Sequence, residues 1–301
     1  MKSAYLIMAH NNFNQLKLLL ELLDSPDNDI FLHIDKKAND FCLQDCMENI
    51  KYSNVSKIES ISVNWGGFSI VECEMNLIKA AINNHYDYYH LLSGQDPPLH
   101  SQEEFKNFLS ENSGKEFVHF ANKQEIERCR VVERIQYYHW FQEKIKSKNK
   151  TQRQFFILLK NITIGIQRLF HIKRKIDKEI QFGSQWFSIT HAFADYLVKH
   201  ECEINSMFRY SRCADELFIQ TTLYNSPYYN NVFDLSREKV FEGCLRLIDF
   251  ERGNGKGSPY VYTFNDKDIL DSSKCFFARK FDIQIDSKIV LYLYDKLKLK
   301  Q

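Results

Sequence analysis

Over the first ~120 residues, short apolar runs alternate with longer stretches of helical periodicity. Ala4-Tyr5-Leu6-Ile7-Met8-Ala9 has the length of a buried strand, and Leu16, Leu19, Leu20 and Leu23 then fall on one helical face. Ile30-Phe31-Leu32-His33-Ile34 reads as a second strand ending at Asp35. Val71, Met75, Ile78 and Ile82 are spaced four, three and four apart and predict another helix. A strand at Tyr88-Tyr89-His90-Leu91-Leu92 is broken by Ser93-Gly94-Gln95-Asp96-Pro97-Pro98. A helix from Gln102 to Leu109 and a strand around Glu116-Phe117-Val118 follow. This alternation predicts a mostly parallel sheet with helices on both faces. Such sheets bind ligands beyond the carboxyl ends of their strands, which singles out His10, Asp35 and Asp96.

The last third returns to mixed patterning: a strand at Trp186-Phe187-Ser188-Ile189, then helices at 191–200 and 215–223. The expected organisation is one domain over 1–301. It divides into an α/β half at 1–120, a variable helical segment at 121–182 and a second half at 183–301. The stretch Asp249-Phe250-Glu251-Arg252-Gly253-Asn254-Gly255-Lys256-Gly257 holds three of the ten glycines and reads as a tight turn. It lacks the G-x-x-x-x-G-K-[ST] phosphate loop.

Charge alters the picture in one place only. Forty basic against 39 acidic residues give a net charge of +1, so nothing points to nucleic acid. Residues 141–180, however, carry eleven Lys/Arg against three acids, which leaves a net −7 on the rest of the chain. Within that block lie Phe155-Phe156-Ile157-Leu158-Leu159, Ile162, Ile164, Ile166, Leu169 and Phe170. Two readings fit: a helix lying on an anionic bilayer, or a core-packed helical insertion with a solvated basic face. With 44% hydrophobic residues, 14% aromatics and only five prolines, the chain is neither disordered nor collagen-like. The leading apolar run is too short for a signal core or a membrane span. Eight scattered cysteines form no C-x-x-C pair and read as buried thiols of a reducing compartment, with a cytoplasmic location expected.

Candidate chemistry is sparse. No histidine spacing matches a recognised metal site. The D-x-D triplets Asp27-Asn28-Asp29 and Asp266-Lys267-Asp268 lie, respectively, in a turn context and before a helix that Asp can cap. There is no G-x-S-x-G nucleophile motif. Two groupings stand out. Asp215 and Glu216 are adjacent carboxylates at the start of an apolar helix pattern, where an acid can also serve as a simple dipole partner. Arg279 and Lys280 are adjacent cations inside Phe276-Phe277-Ala278-Arg279-Lys280-Phe281, a placement that also suits an edge strand.

Seven segments in one order resemble the Core-2/I-branching glycosyltransferase family, which includes the peptide O-xylosyltransferases. They are Ala4–His10, Leu32–Lys37, Trp65-Gly66-Gly67-Phe68-Ser69, Leu91–Pro97, Gly183-Ser184-Gln185-Trp186-Phe187, Ala214-Asp215-Glu216 and Phe276–Asp282. Residues 121–180 match weakly. The resemblance implies a GT-A-like α/β fold and inverting transfer of a sugar from a UDP-sugar to a hydroxyl, with no metal and no other cofactor. It implies Glu216 as catalytic base and Lys280 against the diphosphate, with Arg252, or alternatively Arg279, beside it. It places Asp35 near the uridine with His10 on the adjoining strand end, and Trp65 and Asp96 in the donor pocket. Trp186 and Asp215 fall on the acceptor side.

The chemistry suits these residue types. A positioned base contributes about 10²–10⁴ in rate, and the departing diphosphate needs fixed positive charge. The expected donor is UDP-GlcNAc, with UDP-xylose or another UDP-hexose as the alternative. The expected acceptor is a glycan or lipid-linked oligosaccharide, in a bacterial-type enzyme of surface-polysaccharide synthesis that touches the membrane through 141–180. A non-catalytic carbohydrate-binding protein on the same fold is the rival from another class.

Overall fold

A computed structural model describes residues 1–146, 149–237, 241–255 and 257–299. Lys148 of the basic block and Lys256 of the glycine-rich turn lie outside the described residues.

The strands are β1 (Ser3–Ala9), β2 (Asn28–Ile34), β3 (Val55–Lys57), β4 (Tyr88–Ser93), β5 (Phe117–Val118), β6 (Phe187–Thr190), β7 (Arg246–Ile248) and β8 (Phe277–Arg279). The first helices are α1 (Phe13–Leu23), α2 (Leu43–Met47), α3 (Ser69–Ala81) and α4 (Gln102–Glu111). Next come α5 (Lys123–Arg128), α6 (Val131–Ile135), α7 (Lys150–Leu169) and α8 (His191–Lys199). The chain closes with α9 (Glu201–Phe208), α10 (Phe218–Tyr224), α11 (Lys267–Ser272) and α12 (Ser287–Lys298).

Six strands form one sheet in the order β3-β2-β1-β4-β6-β5. β1 pairs in parallel with β2 and β4, and β2 with β3, while β6 runs antiparallel to both β4 and β5. The mainly parallel sheet is as the alternation predicted. Alternate residues of a strand point to opposite faces, and β1 shows the consequence. Ala4 and Leu6 join a core with Val71, Met75 and Ile78 of α3 and Phe193 of α8. Tyr5, Ile7 and Ala9 join another with Leu16, Leu20 and Leu23 of α1 and Phe105 of α4. Both faces are thus dry, which accounts for apolar runs without polar alternation. α4 starts on a reciprocal cap, with Ser101 and Glu104 each bonding the other's backbone N–H.

β7 and β8 form a separate two-stranded parallel sheet that the sequence pattern did not reveal. Its anchor is Arg246, fully buried, which donates to Ser188 Oγ at 2.8 Å and to the carbonyls of Leu91 at 3.0 Å and Phe187 at 2.8 Å. Its guanidinium also stacks over Phe277. The small sheet is thereby bolted to the large one.

Two expectations are corrected. The helix expected over 215–223 begins at Phe218, because Ala214–Glu216 forms a tight 3-10 turn in which the Leu217 N–H bonds the Ala214 carbonyl. The core-packed reading of the basic segment also fails. α7 buries only Gln167 and leaves Phe155, Leu158, Ile162, Ile166 and Leu169 exposed.

Candidate active site

In register, Met8 of β1 lies opposite His33 of β2 and Ser93 of β4, so the carboxyl ends of three neighbouring strands are level. His10 and Asp35 follow those ends directly, and Asp96 lies three residues beyond the end of β4. Asp35 is buried and held by its surroundings. Its carboxylate accepts from the Lys37 N–H at 2.8 Å and the Val63 N–H at 3.3 Å, and the Lys37 ammonium lies 3.5 Å away.

Asp96 is almost completely buried and fully engaged. It accepts from the Ser93 N–H and hydroxyl, both at 2.9 Å, and from Arg279 at 2.7 Å. Arg279 also donates to Ser93 Oγ at 2.6 Å, and its guanidinium lies 4.4 Å above the Trp186 ring. Asp96 and Trp186 therefore hold Arg279 in place, a charge-assisted pair below and a π-face beside it. Trp186 is itself buried, so the ring expected on the acceptor side carries Arg279 on one face.

β8 lies along the loop after β4: Ala278 N–H bonds the Pro97 carbonyl and Phe281 N–H the Gln95 carbonyl. This brings Lys280 to the strand ends. Past it, Asp282 accepts from Asn12, and Gln15 of α1 donates to the Phe281 carbonyl. Lys280 is half-buried, and among the described residues its ammonium has no hydrogen-bond or ion-pair partner. Desolvation, then the field of Arg279, lowers its pKa, against smaller pulls from Asp282 and Asp96. His10 titrates below the usual imidazole range. Desolvation leads, Asp35 opposes it, and Arg279, Lys280 and Lys37 add to it. Two cations, an acid and an imidazole thus share one field at the carboxyl ends of the strands.

Arg252 is placed differently. It pairs with Asp249 at 2.5 Å and Asp266 at 2.6 Å and stacks 4.1 Å over Tyr260. Two carboxylates already neutralise it, whereas Arg279 shares one. Of the four D-x-D carboxylates three are engaged within the fold, whereas the Asp268 side chain is fully exposed. Asp27 pairs with Lys106, Asp29 accepts from Asn54 and Tyr86, and Asp266 caps the turn before α11.

Glu216 sits on the 3-10 turn with its carbonyl accepting from the Gly183 N–H at 3.0 Å. Gly183 must be glycine here, since a Cβ would lie 1.8 Å from the His119 carbonyl oxygen. The Glu216 carboxylate, about a third exposed, is ion-paired with the nearly buried Arg134 of α6. Arg134 also donates to the Cys129 carbonyl and stacks over Phe182. Beside it, Asp215 is buried with Oδ1 unpartnered, and burial, helped by the Glu216 charge, pushes its pKa up to about 8. Glu74 of α3 is raised too, by burial and then by Asp215, and it accepts from Gln185 at 2.7 Å.

The Trp65-Gly66-Gly67 loop closes this end. Gly66 has φ +74°, the left-handed region that suits glycine, and its carbonyl accepts from the Cys213 N–H. Glu143 reaches over from the variable segment to the Ser69 N–H at 2.8 Å, capping α3. Trp65 remains 53% exposed, with the Lys146 ammonium 4.6 Å over its ring.

The model of the Core-2/I-branching enzyme family matches residues 3–268. The chain belongs to that glycosyltransferase family. Its architecture is α/β, with a mainly parallel central sheet. Among curated proteins it is similar to xylosyltransferase 2 of Rattus norvegicus, at 25% identity over 95% of this chain and 32% of the relative. A xylosyltransferase of Drosophila melanogaster is 23% identical over 94% of this chain and 32% of its own length. The chain spans about a third of the curated relatives it matches. Among solved structures, apo mouse xyloside xylosyltransferase 1 aligns with 75% of this chain and 83% of its own at 8% identity and TM-score 0.31. Core-mannan synthase A of Aspergillus fumigatus aligns with 74% and 69% at 10% identity and TM-score 0.32.

Three residues of the site escaped the sequence. Arg134 lies outside the seven motif segments. Glu74 sits within an apolar helix stripe, where its carboxyl looks like a surface position. Gln185, inside a matched motif, carries no charge to mark it. Only the pairing of distant segments exposes them.

Proposed function

We propose that this protein transfers a sugar from a UDP-sugar to a hydroxyl with inversion at the anomeric carbon. The observation that carries the reading is the convergence of Arg279 and Lys280 on His10 and Asp35 at the strand ends, with Lys280 free of a partner among the described residues. In the reaction the acceptor oxygen bonds to the anomeric carbon as the bond from that carbon to the diphosphate oxygen breaks. The hydroxyl proton passes to Glu216, and the electron pair leaves with UDP. A cation ~4 Å from the departing phosphate contributes about 4 kcal/mol at an effective dielectric of ~20, before desolvation. Arg279 and Lys280 supply that charge without a divalent ion. Arg279 replaces Arg252 as the preferred partner of Lys280, because Arg252 is spent on two carboxylates.

The relatives' names make UDP-xylose the first donor to test, with UDP-GlcNAc the second on the strength of the branching-enzyme motifs. The acceptor class we propose is a glycan hydroxyl, on an oligosaccharide or a lipid carrier, in bacterial surface-polysaccharide assembly. Release of UDP from each donor, with water and with an acceptor panel, tests the reading. Turnover selective for one donor supports it. Tight UDP-sugar binding with no turnover on any acceptor favours a non-catalytic carbohydrate-binding role.

A further inference from the structure

α7 is built to present its apolar face to something outside this chain. Phe155, Leu158, Ile162, Ile166 and Leu169 recur at spacings of three and four, so they form one stripe along the helix. Each is between 46% and 73% exposed, and Phe170 just beyond the helix is 68% exposed. The roll of the helix that leaves the stripe outward is fixed by a polar clamp. Gln167 is buried, accepts from the Tyr138 N–H at 2.8 Å and donates to the Tyr138 carbonyl at 3.1 Å. One residue is about 100° of helical rotation, so a clamp at Gln167 turns Ile166 and its stripe away from the protein.

Charge names the occupant. From Lys144 to Ile176 there are ten Lys/Arg and no acid. Lys150, Arg153, Lys173 and Lys175 are exposed and, among the described residues, have no acidic partner. A second copy would set these cations against themselves, whereas an anionic lipid surface complements them. No helix among the described residues is long and apolar enough to cross a membrane. A helix of this kind lies in the plane of the interface with its apolar face among the acyl chains. We infer that α7 seats the protein on an anionic bilayer through the Phe155–Leu169 stripe. This stands independently of the transfer reading. It deepens that reading in one respect: Lys146, four residues before α7, stacks on Trp65, whose neighbour Gly66 bonds Cys213, three residues before Glu216, so a lipid-borne acceptor would be presented close to the proposed base.

The test is flotation of the full chain with vesicles of phosphatidylcholine alone or with phosphatidylglycerol at three to one, at low salt. The expected result is at least tenfold more protein bound to the anionic vesicles. Leu158→Glu, Ile162→Glu and Leu169→Glu together should reduce that binding at least tenfold, while Ile269→Glu, an exposed apolar site on α11, leaves it unchanged. Retained thermal stability shows that the triple variant is folded. Leu158→Trp reports the stripe directly, its fluorescence shifting to the blue on anionic vesicles. Absence of binding, binding that survives the triple substitution, or no shift from Leu158→Trp overturns the inference. So does a dimer in light scattering that the triple substitution dissolves, which assigns the stripe to a second copy.

Discussion

Arg134 donates to the Glu216 carboxylate from a helix 82 residues earlier in the chain. The Glu216 backbone is tied separately, through its carbonyl to Gly183. Position and direction of the carboxylate are thus set by two different segments.

Glu216→Gln keeps the shape and an acceptor for Arg134 but removes proton affinity. Transfer should fall by at least about 100-fold, with UDP binding by calorimetry within about twofold of the parent. Near-parental turnover would remove Glu216 from its role.

Arg134 touches the Glu216 carboxylate, so in the proposed reaction it is a positioning residue. Arg134→Ala should lower kcat by about tenfold or more and leave the KM for the donor nearly unchanged. Arg134→Lys should recover part of the loss. Arg134→Ala also leaves the Glu216 carboxylate and the Cys129 carbonyl without their donor, so its melting temperature should drop as well. Loss of stability with kcat intact would make the pair purely structural.

Lys280→Ala should weaken UDP at least tenfold and flatten the salt dependence of its binding. Asp96→Asn should act in the same direction, more weakly, by loosening Arg279. Transfer by the parent protein should persist in excess EDTA. Abolition by EDTA with recovery on adding manganese would assign the diphosphate to an ion instead.

Burial raises Asp215 to about 8 and Glu116 to about 7. A carboxyl raised on folding holds its proton longer in the native state than in the unfolded chain, so stability falls as pH climbs from its ordinary value toward the raised one. Buried histidines pull the other way only below their ordinary value of about 6.5. Between pH 6.5 and 8 the melting temperature should therefore decline, by at most about 1.4 kcal/mol of stability per pH unit for each proton. Asp215→Asn should flatten that decline, and an unchanged slope would show that Asp215 is already ionised at neutral pH.

The sheet was readable because its strands are apolar on both faces and are followed by polar residues. β1, β2 and β4 stood out for that reason, and so did the positions of His10, Asp35 and Asp96. The motifs carrying Lys280 and Glu216 were legible as local strings. What the strings lacked was pairing. That Asp96 clamps Arg279, or that Asp266 and Asp249 quench Arg252, depends on contacts between residues up to 183 apart. α7 was legible as basic and apolar but not in its roll, which one glutamine decides.

The partner of the proposed base comes from α6, in the stretch between β5 and β6. Exchanging that stretch between family members would therefore swap more than surface loops: a graft lacking an equivalent of Arg134 would arrive with its proton acceptor untethered.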